Sequence, residues 1–285
     1  MQEGLLSTAV LPAALGIIML GLGLSLSVAD FTRVIKYPKA VFIGLFCQMV
    51  ILPFGAFFIA RAMGLAPELA VGLMLLAASP GGATANLFSH LSNGDVALNI
   101  TLTAINSVLT LFTLPFIVST AMDYFMGSAQ AIPMPFTKVI QVFAIVLVPV
   151  SIGMLIKKYR PALTLKLEKP VRIASAILLV LVIIAAILKD KDKIGDYFAQ
   201  VGIAALLFNL LSMLSGYFIP RLFKINNRQS IAIGMEIGIH NGTLAIFLAL
   251  TVLNNAAMSI PPAVYSIIMF FTAGAFGYFV SKKNK

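Results

Sequence analysis

Charge is what this sequence has least of. Of its 285 residues only 11% are Asp, Glu, Lys or Arg, against about 25% in soluble domains, while 60% are hydrophobic and the mean hydropathy is +1.01. That balance excludes a soluble domain and indicates a polytopic membrane protein. The single cysteine, Cys47, excludes a disulfide framework or a cysteine-rich metal site and reads as an inert small apolar residue. No charged stretch followed by a small-residue cleavage site precedes the first apolar run, so that run reads as a retained span. The runs also lack the alternation of barrel strands, which leaves the helix as the element able to satisfy its own backbone in lipid. Acid is scarcest of all, with 10 Asp and Glu, and Glu236 is the one acidic side chain set inside a long apolar stretch.

What is present is a series of about nine apolar runs of spanning length: roughly 9–28, 40–60, 68–91, 96–121, 137–156, 171–188, 198–220, 229–253 and 262–280. Lysine and arginine collect in alternate connections: Arg33, Lys36 and Lys39; Lys157, Lys158, Arg160, Lys166, Lys169 and Arg172; Arg221, Lys224 and Arg228; Lys282, Lys283 and Lys285. The other connections hold Arg61, Lys138, Lys189, Lys191 and Lys193, the last three interleaved with Asp190, Asp192 and Asp196. By the positive-inside rule the N-terminus is outside and the C-terminus cytoplasmic, in the cell inner (plasma) membrane. The net charge of +10 is then topology rather than a nucleic-acid footprint, and the chain points to the bilayer, with no protein partner indicated.

Two runs are interrupted near their middles, one by Ser79-Pro80-Gly81-Gly82-Ala83-Thr84-Ala85-Asn86 and the other by Gly238-Ile239-His240-Asn241-Gly242-Thr243. Proline removes a donor and glycine tolerates open geometry, so freed backbone at these points needs a partner. A kink without function is the plain alternative for either alone. The two runs cross in opposite directions at corresponding places in the chain, however, which suggests an inverted repeat with a midplane site between the breaks. Glu236 lies just before the second break. A carboxylate at bilayer depth costs from about 2.5 to over 10 kcal/mol unless it faces a polar partner, so this is the expected seat of function.

Pro80-Gly81-Gly82 with Asn86, then Gly94-Asp95-Val96-Ala97-Leu98 opening the next helix, Gln48 five residues before Pro53, and Glu236 ahead of His240-Asn241 together resemble the bile acid:sodium symporter family across nearly the whole chain. The resemblance implies an all-α polytopic transporter, here like the nine-helix members, with two inverted repeats (about 9–121 and 137–280) in one unit. Its two broken helices would cross in a core domain beside a panel domain. It further implies one sodium site at Ala85, Asn86, Asn99, Thr103 and Glu236, and a second at Gln48, Glu236, Ile237, Ile239 and His240, with Na+ as the coupling ion and no other cofactor. Such oxygen-rich sets suit hard cations, and Asn99 and Thr103, spaced i and i+4, share a helix face. Three positions depart from the family pattern. Ala85 stands where a hydroxyl supplies an oxygen, Asn99 where a serine is also found, and His240 where a glutamine is found. Histidine titrates near neutral pH, so a proton carried by His240 and Glu236 is the other coupling this pattern allows. Hydrogen bonding of His240 to freed backbone is the structural alternative.

The substrate reading rests on the amides of Ala83, Thr84 and Ala85 and of Asn241, Gly242 and Thr243, which open the second halves of the broken helices and suit an anion. A small organic anion fits, either bile acid-like or a small carboxylate such as pantoate. Phe270 and Phe271 either form an apolar cavity wall or face lipid. Asn106, Ser107, Thr110, Asn209 and Ser212 read as interhelical hydrogen-bonding residues, with Asn106 also able to face a cavity, and Asp95 lies near the next helix's N-terminus, where a carboxylate is favourable. An enzyme is not expected, since an intramembrane hydrolase would need a nucleophile and base or paired aspartates, and a channel would need a ring of equivalent groups. A ligand-binding membrane sensor would keep the same pocket as a transporter.

Overall fold

The computed structural model describes residues 11–127, 136–189 and 194–282. Lys191, Lys193, Asp190, Asp192, Lys283 and Lys285 of the charge pattern lie outside the described residues. Among those described, regular structure is helical apart from one isolated backbone bridge. In chain order the helices are α1 (Leu11–Ser25), α2 (Val28–Thr32), α3 (Pro38–Ala62), α4 (Pro67–Ala77), α5 (Ala83–Leu91), α6 (Val96–Met126), α7 (Phe136–Tyr159), α8 (Pro161–Lys189), α9 (Ile194–Leu222), α10 (Asn227–Gly238), α11 (Gly242–Val252) and α12 (Ile260–Lys282). Pro38–Ala62, Val96–Met126, Ala199–Leu222 and Ala257–Lys282 are each long and apolar enough to cross a bilayer. The chain is therefore an all-helical, multi-pass membrane protein.

Helix starts follow local chemistry. Pro38, Pro67 and Pro161 open α3, α4 and α8, where a missing N–H costs nothing. Asp95 caps α6 by accepting from the Leu98 amide at 3.1 Å, as its position in the sequence predicts, and Asn226 caps α10 through the Gln229 amide at 2.9 Å. The turn out of α5 uses Asn93 in the left-handed region, φ 59°, and the turn out of α9 uses Lys224, φ 60°. The Asp95 amide donates to the Arg228 carbonyl at 2.9 Å, tying those two turns together.

Two packing groups emerge. The first is α1 with α7 and α8, and the chain bends by 70° between α1 and the short helix that follows it. Close approach of α1 and α7 depends on Gly153, where a Cβ would lie 2.6 Å from the Leu20 carbonyl oxygen. The Lys157 ammonium donates to the Ser25 carbonyl at the end of α1. The second group gathers α9, α10 and α12 against α3 to α6. There Gly216 brings α9 onto α10, since a Cβ would lie 2.7 Å from the Ile237 side chain. Cys47 is buried in this second group, as an inert packing residue would be.

Candidate functional site

Each of the two interrupted runs is a pair of short helices, α4 with α5 and α10 with α11, and the two interruptions cross. The Gly82 amide donates to the Ile239 carbonyl at 3.0 Å and the Asn241 amide to the Pro80 carbonyl at 2.8 Å, so Gly81 and His240 face each other in a one-rung antiparallel bridge. Backbone groups freed by Pro80 and the glycines thus bond one another across the two breaks, as unpaired backbone must where water is scarce. Side chains bond further carbonyls near the ends of the half-helices. The Gln48 carboxamide donates to Ala77 and Ser79, at 3.2 and 3.0 Å, from a π-helical turn at Cys47–Ile51, a distortion common at functional sites. The Asn209 carboxamide and the Tyr265 hydroxyl both donate to Gly238, at 2.9 and 2.8 Å.

Glu236 is fully buried two residues before the end of α10. Its Oε2 accepts from the Thr103 hydroxyl at 2.6 Å, and its Oε1 from the Asn106 carboxamide at a long 3.4 Å. Gly81 presses on the same carboxylate, because a Cβ there would overlap Oε1 and Cδ of Glu236. Among the described residues no lysine or arginine pairs with this carboxylate, which is left with these two dipoles. Asn99 is oriented by its amide, which donates to the Ala232 carbonyl of α10 at 2.7 Å.

The helices that build the breaks also carry acceptors with nothing to accept. The side-chain oxygens of Gln48, Asn86, Asn99, Asn106 and Asn209 are buried without a hydrogen-bond partner. One such orphan costs about 1–3 kcal/mol, and carboxamide oxygens with a carboxylate are the ligand types that a hard cation takes. Of the residues expected at the first sodium site, Asn99, Thr103 and Glu236 are brought together by α6 and α10, Asn86 presents an orphaned oxygen from α5, and Ala85 is fully buried with no side-chain oxygen. Of the second set, Gln48 presents an orphaned oxygen, the Ile239 carbonyl already accepts from Gly82, and Ile237 lies in α10.

His240 departs from the structural alternative offered for it. Neither ring nitrogen has a hydrogen-bond partner, and the ring instead packs against Phe208 and Tyr265, with centroids at 5.6 and 5.4 Å. The interhelical reading holds for Asn106 and Asn209 and for Ser212, whose hydroxyl meets that of Tyr265 on α12 as well as the Phe208 carbonyl of its own helix. Ser107 instead bonds the Thr103 carbonyl one turn back in its own helix, the usual outcome for a short hydroxyl on a helix. Several amides expected to face an anion are engaged: Ala85 on Gly82, Asn241 on Pro80, and Gly242 on His240 at 3.0 Å. The Asn241 side chain caps the Leu244 amide at 3.1 Å. Thr84 stays partly exposed and Thr243 is buried at the start of α11. Phe271 is 76% exposed and faces outward, while Phe270 packs on Phe88 with centroids at 6.1 Å. Asn209 and Tyr265 were not singled out as break-supporting residues by sequence. Their signal is spacing along α9 and α12, visible only once Gly238 is known to be a helix end.

Discontinuous helices that cross beside a buried carboxylate in a multi-pass membrane protein are the construction of a secondary transporter's ion site. The chain belongs to the Sodium Bile acid symporter family, whose members are transporters rather than enzymes: the family's model matches residues 12–196. That match takes in the first break with Gln48, Asn86, Asn99 and Thr103, while Glu236 and the second break lie beyond it. The chain is 30% identical over 255 residues to the probable sodium/metabolite cotransporter BASS1, chloroplastic, of Arabidopsis thaliana, covering 89% of this chain and 62% of that protein. It is 27% identical to the uncharacterized sodium-dependent transporter YocS of Bacillus subtilis (strain 168), covering 95% and 83%. It is also 27% identical to the ileal sodium/bile acid cotransporter of Oryctolagus cuniculus, covering 82% and 67%. The chain thus spans about three fifths of the length of the chloroplast relative.

Proposed function

We propose that this protein is a sodium-coupled symporter of an organic anion, bile acid-like or a small carboxylate such as pantoate, working by alternating access. The observation that carries this reading is the buried Glu236 carboxylate, bonded by Thr103 and Asn106, beside the crossing of two broken helices. Glu236 serves two cation positions, one with Asn86, Asn99 and Thr103, the other with Gln48, His240 and the carbonyls of Ile237 and Ile239. A carboxylate shared between two cations is neutralised when both are loaded. The antiparallel sense of the two breaks supports an inverted repeat of nine spans. In this reading α1, α7 and α8 are the panel and the remaining helices the core, rocking against each other in the inner membrane with the N-terminus outside. Cation binding draws the breaks into the arrangement that presents Ala83, Thr84 and Thr243 to the anion. Coupling is the resulting difference in anion affinity between loaded and empty states.

The test is uptake of taurocholate and of pantoate by the reconstituted protein, in sodium against choline, at pH 6 and pH 8. Sodium stimulation at both pH values that disappears in Glu236→Gln is the expected result. Uptake that ignores sodium and rises at acid pH assigns the coupling to a proton on His240 and Glu236, and sinks the sodium sites. Anion binding without uptake makes the protein a sensor.

A further inference from the structure

The two breaks are supported by matched side chains. Gln48 on α3, the helix before the first broken pair, donates to Ala77, the last residue of α4, 29 positions later in the chain. Asn209 on α9, the helix before the second broken pair, donates to Gly238, the last residue of α10, also 29 positions later. Each carboxamide is buried, each uses its N–H to hold the end of a half-helix, and each leaves its oxygen without a partner. The shorter asparagine reaches one carbonyl where glutamine reaches two, and Tyr265 supplies the second donor from α12. A carbonyl has two lone pairs, so Gly238 is saturated and the end of α10 is pinned from two helices. The pinned residue lies between Glu236 and the Ile239 carbonyl.

We infer that Asn209 and Tyr265 are positioning residues for the cation site: by clamping the Gly238 carbonyl they hold Glu236 and the second break in the geometry that binds sodium, as Gln48 does from the first break. The inference rests on the sodium reading above and adds residues from the second half of the chain that neither expected site contains. The clamp acts through backbone position, so its removal weakens cation binding without touching a ligand.

The experiment is thermal unfolding of the purified full-length chain in detergent, titrated with sodium chloride at constant ionic strength in choline chloride. The upward shift in midpoint gives the sodium affinity without knowledge of the transported anion. Tyr265→Phe keeps the ring against Phe208 and His240 and removes one oxygen; Asn209→Ala removes the other donor. The control is Ser215→Ala, which loses a bond to the Ser212 carbonyl within α9. The expected result is a rise of about tenfold in half-saturating sodium for Tyr265→Phe and a larger one for Asn209→Ala, with Ser215→Ala unchanged. Lower midpoints in choline with wild-type sodium affinity would mean that the clamp only stabilises the fold, which overturns the inference and leaves the sodium reading standing. A wild-type protein whose midpoint ignores sodium removes both. Should Asn209→Ala not fold, Tyr265→Phe decides alone.

Discussion

The first break, Ser79 to Gly82, holds a proline and two glycines and no ionisable group, whereas the second is flanked by Glu236 and contains His240. Their backbones are satisfied in the same way, by each other and by carboxamides from the preceding long helices. What differs is division of labour. The second break supplies charge, and the first supplies the space that charge occupies, since the Glu236 carboxylate lies where a side chain on Gly81 would be. A run of small residues in a membrane helix is therefore to be read against whatever crosses it, and here the crossing residue comes from far along the chain.

The largest expected effect breaks this comparison at its point of contact. A Cβ at Gly81 overlaps the Glu236 carboxylate, which Thr103 and Asn106 hold by hydrogen bonds, and the Glu236 backbone oxygen, which is fixed in α10. At Gly82 the nearest atom to an added Cβ is 3.5 Å away, an ordinary contact, and φ is −97°, open to any residue. Gly81→Ala is expected to lose sodium-dependent uptake and to destabilise the protein by about 1–3 kcal/mol through overpacking. Gly82→Ala is expected to stay within about 1 kcal/mol of wild type. Uptake and denaturation midpoints of the two variants side by side check this; equal behaviour would mean that Gly81 does not hold room for the carboxylate.

Much of this arrangement is legible in the sequence, and the limits have physical causes. Breaks announce themselves locally, through Pro80-Gly81-Gly82 and Gly238 to Gly242, because proline and glycine act on their own backbone. An acid in an apolar run is equally conspicuous, because burial of charge is costly wherever it occurs. Polar residues on a helix face are different: Asn106 and Ser107 are neighbours in sequence, yet one reaches Glu236 and the other bonds Thr103 in its own helix. Nothing in their spacing distinguishes these outcomes, because the choice depends on which helix lies opposite. The amides at the breaks show the same limit. A sequence shows that Asn241 and Gly242 have freed N–H groups, but not that Pro80 and His240 offer carbonyls to them.

A second, smaller test sharpens the contrast between bonds to the charge and bonds near it. Thr103 donates to Glu236 at 2.6 Å, and without it the carboxylate keeps only the 3.4 Å bond from Asn106. Thr103→Val preserves shape and removes that donor, and is expected to cost about 1.5–3 kcal/mol, the range for hydrogen bonds to charged groups. Ser107→Ala, one turn further on α6, removes a bond to a backbone carbonyl that the helix also uses, and is expected to cost about 1 kcal/mol or less. Chemical denaturation in sodium-free buffer measures both. A Thr103→Val variant no less stable than Ser107→Ala would show that the carboxylate is not charged in that state, since a neutral acid would lose far less with its donor.

The smallest expected effect concerns the one member of the first cation set that brings no oxygen. Ala85 is fully buried on α5, next to Asn86 with its orphaned oxygen, while Asn106 on α6 bonds Glu236 and carries an orphaned oxygen of its own. If the first break contributes ligands as well as space, Ala85→Ser adds an oxygen where one is missing and lowers half-saturating sodium by about two- to fivefold, equivalent to about 0.4–1 kcal/mol. If Asn106 already fills that role from α6, the serine changes nothing on its own. The same substitution then rescues sodium affinity in Asn106→Ala, because two oxygens competing for one coordination position are not additive. Sodium titration of the two single variants and the double variant separates these cases. It thereby decides whether the charge-bearing break draws its cation ligands from the opposing break or from the long helix behind it.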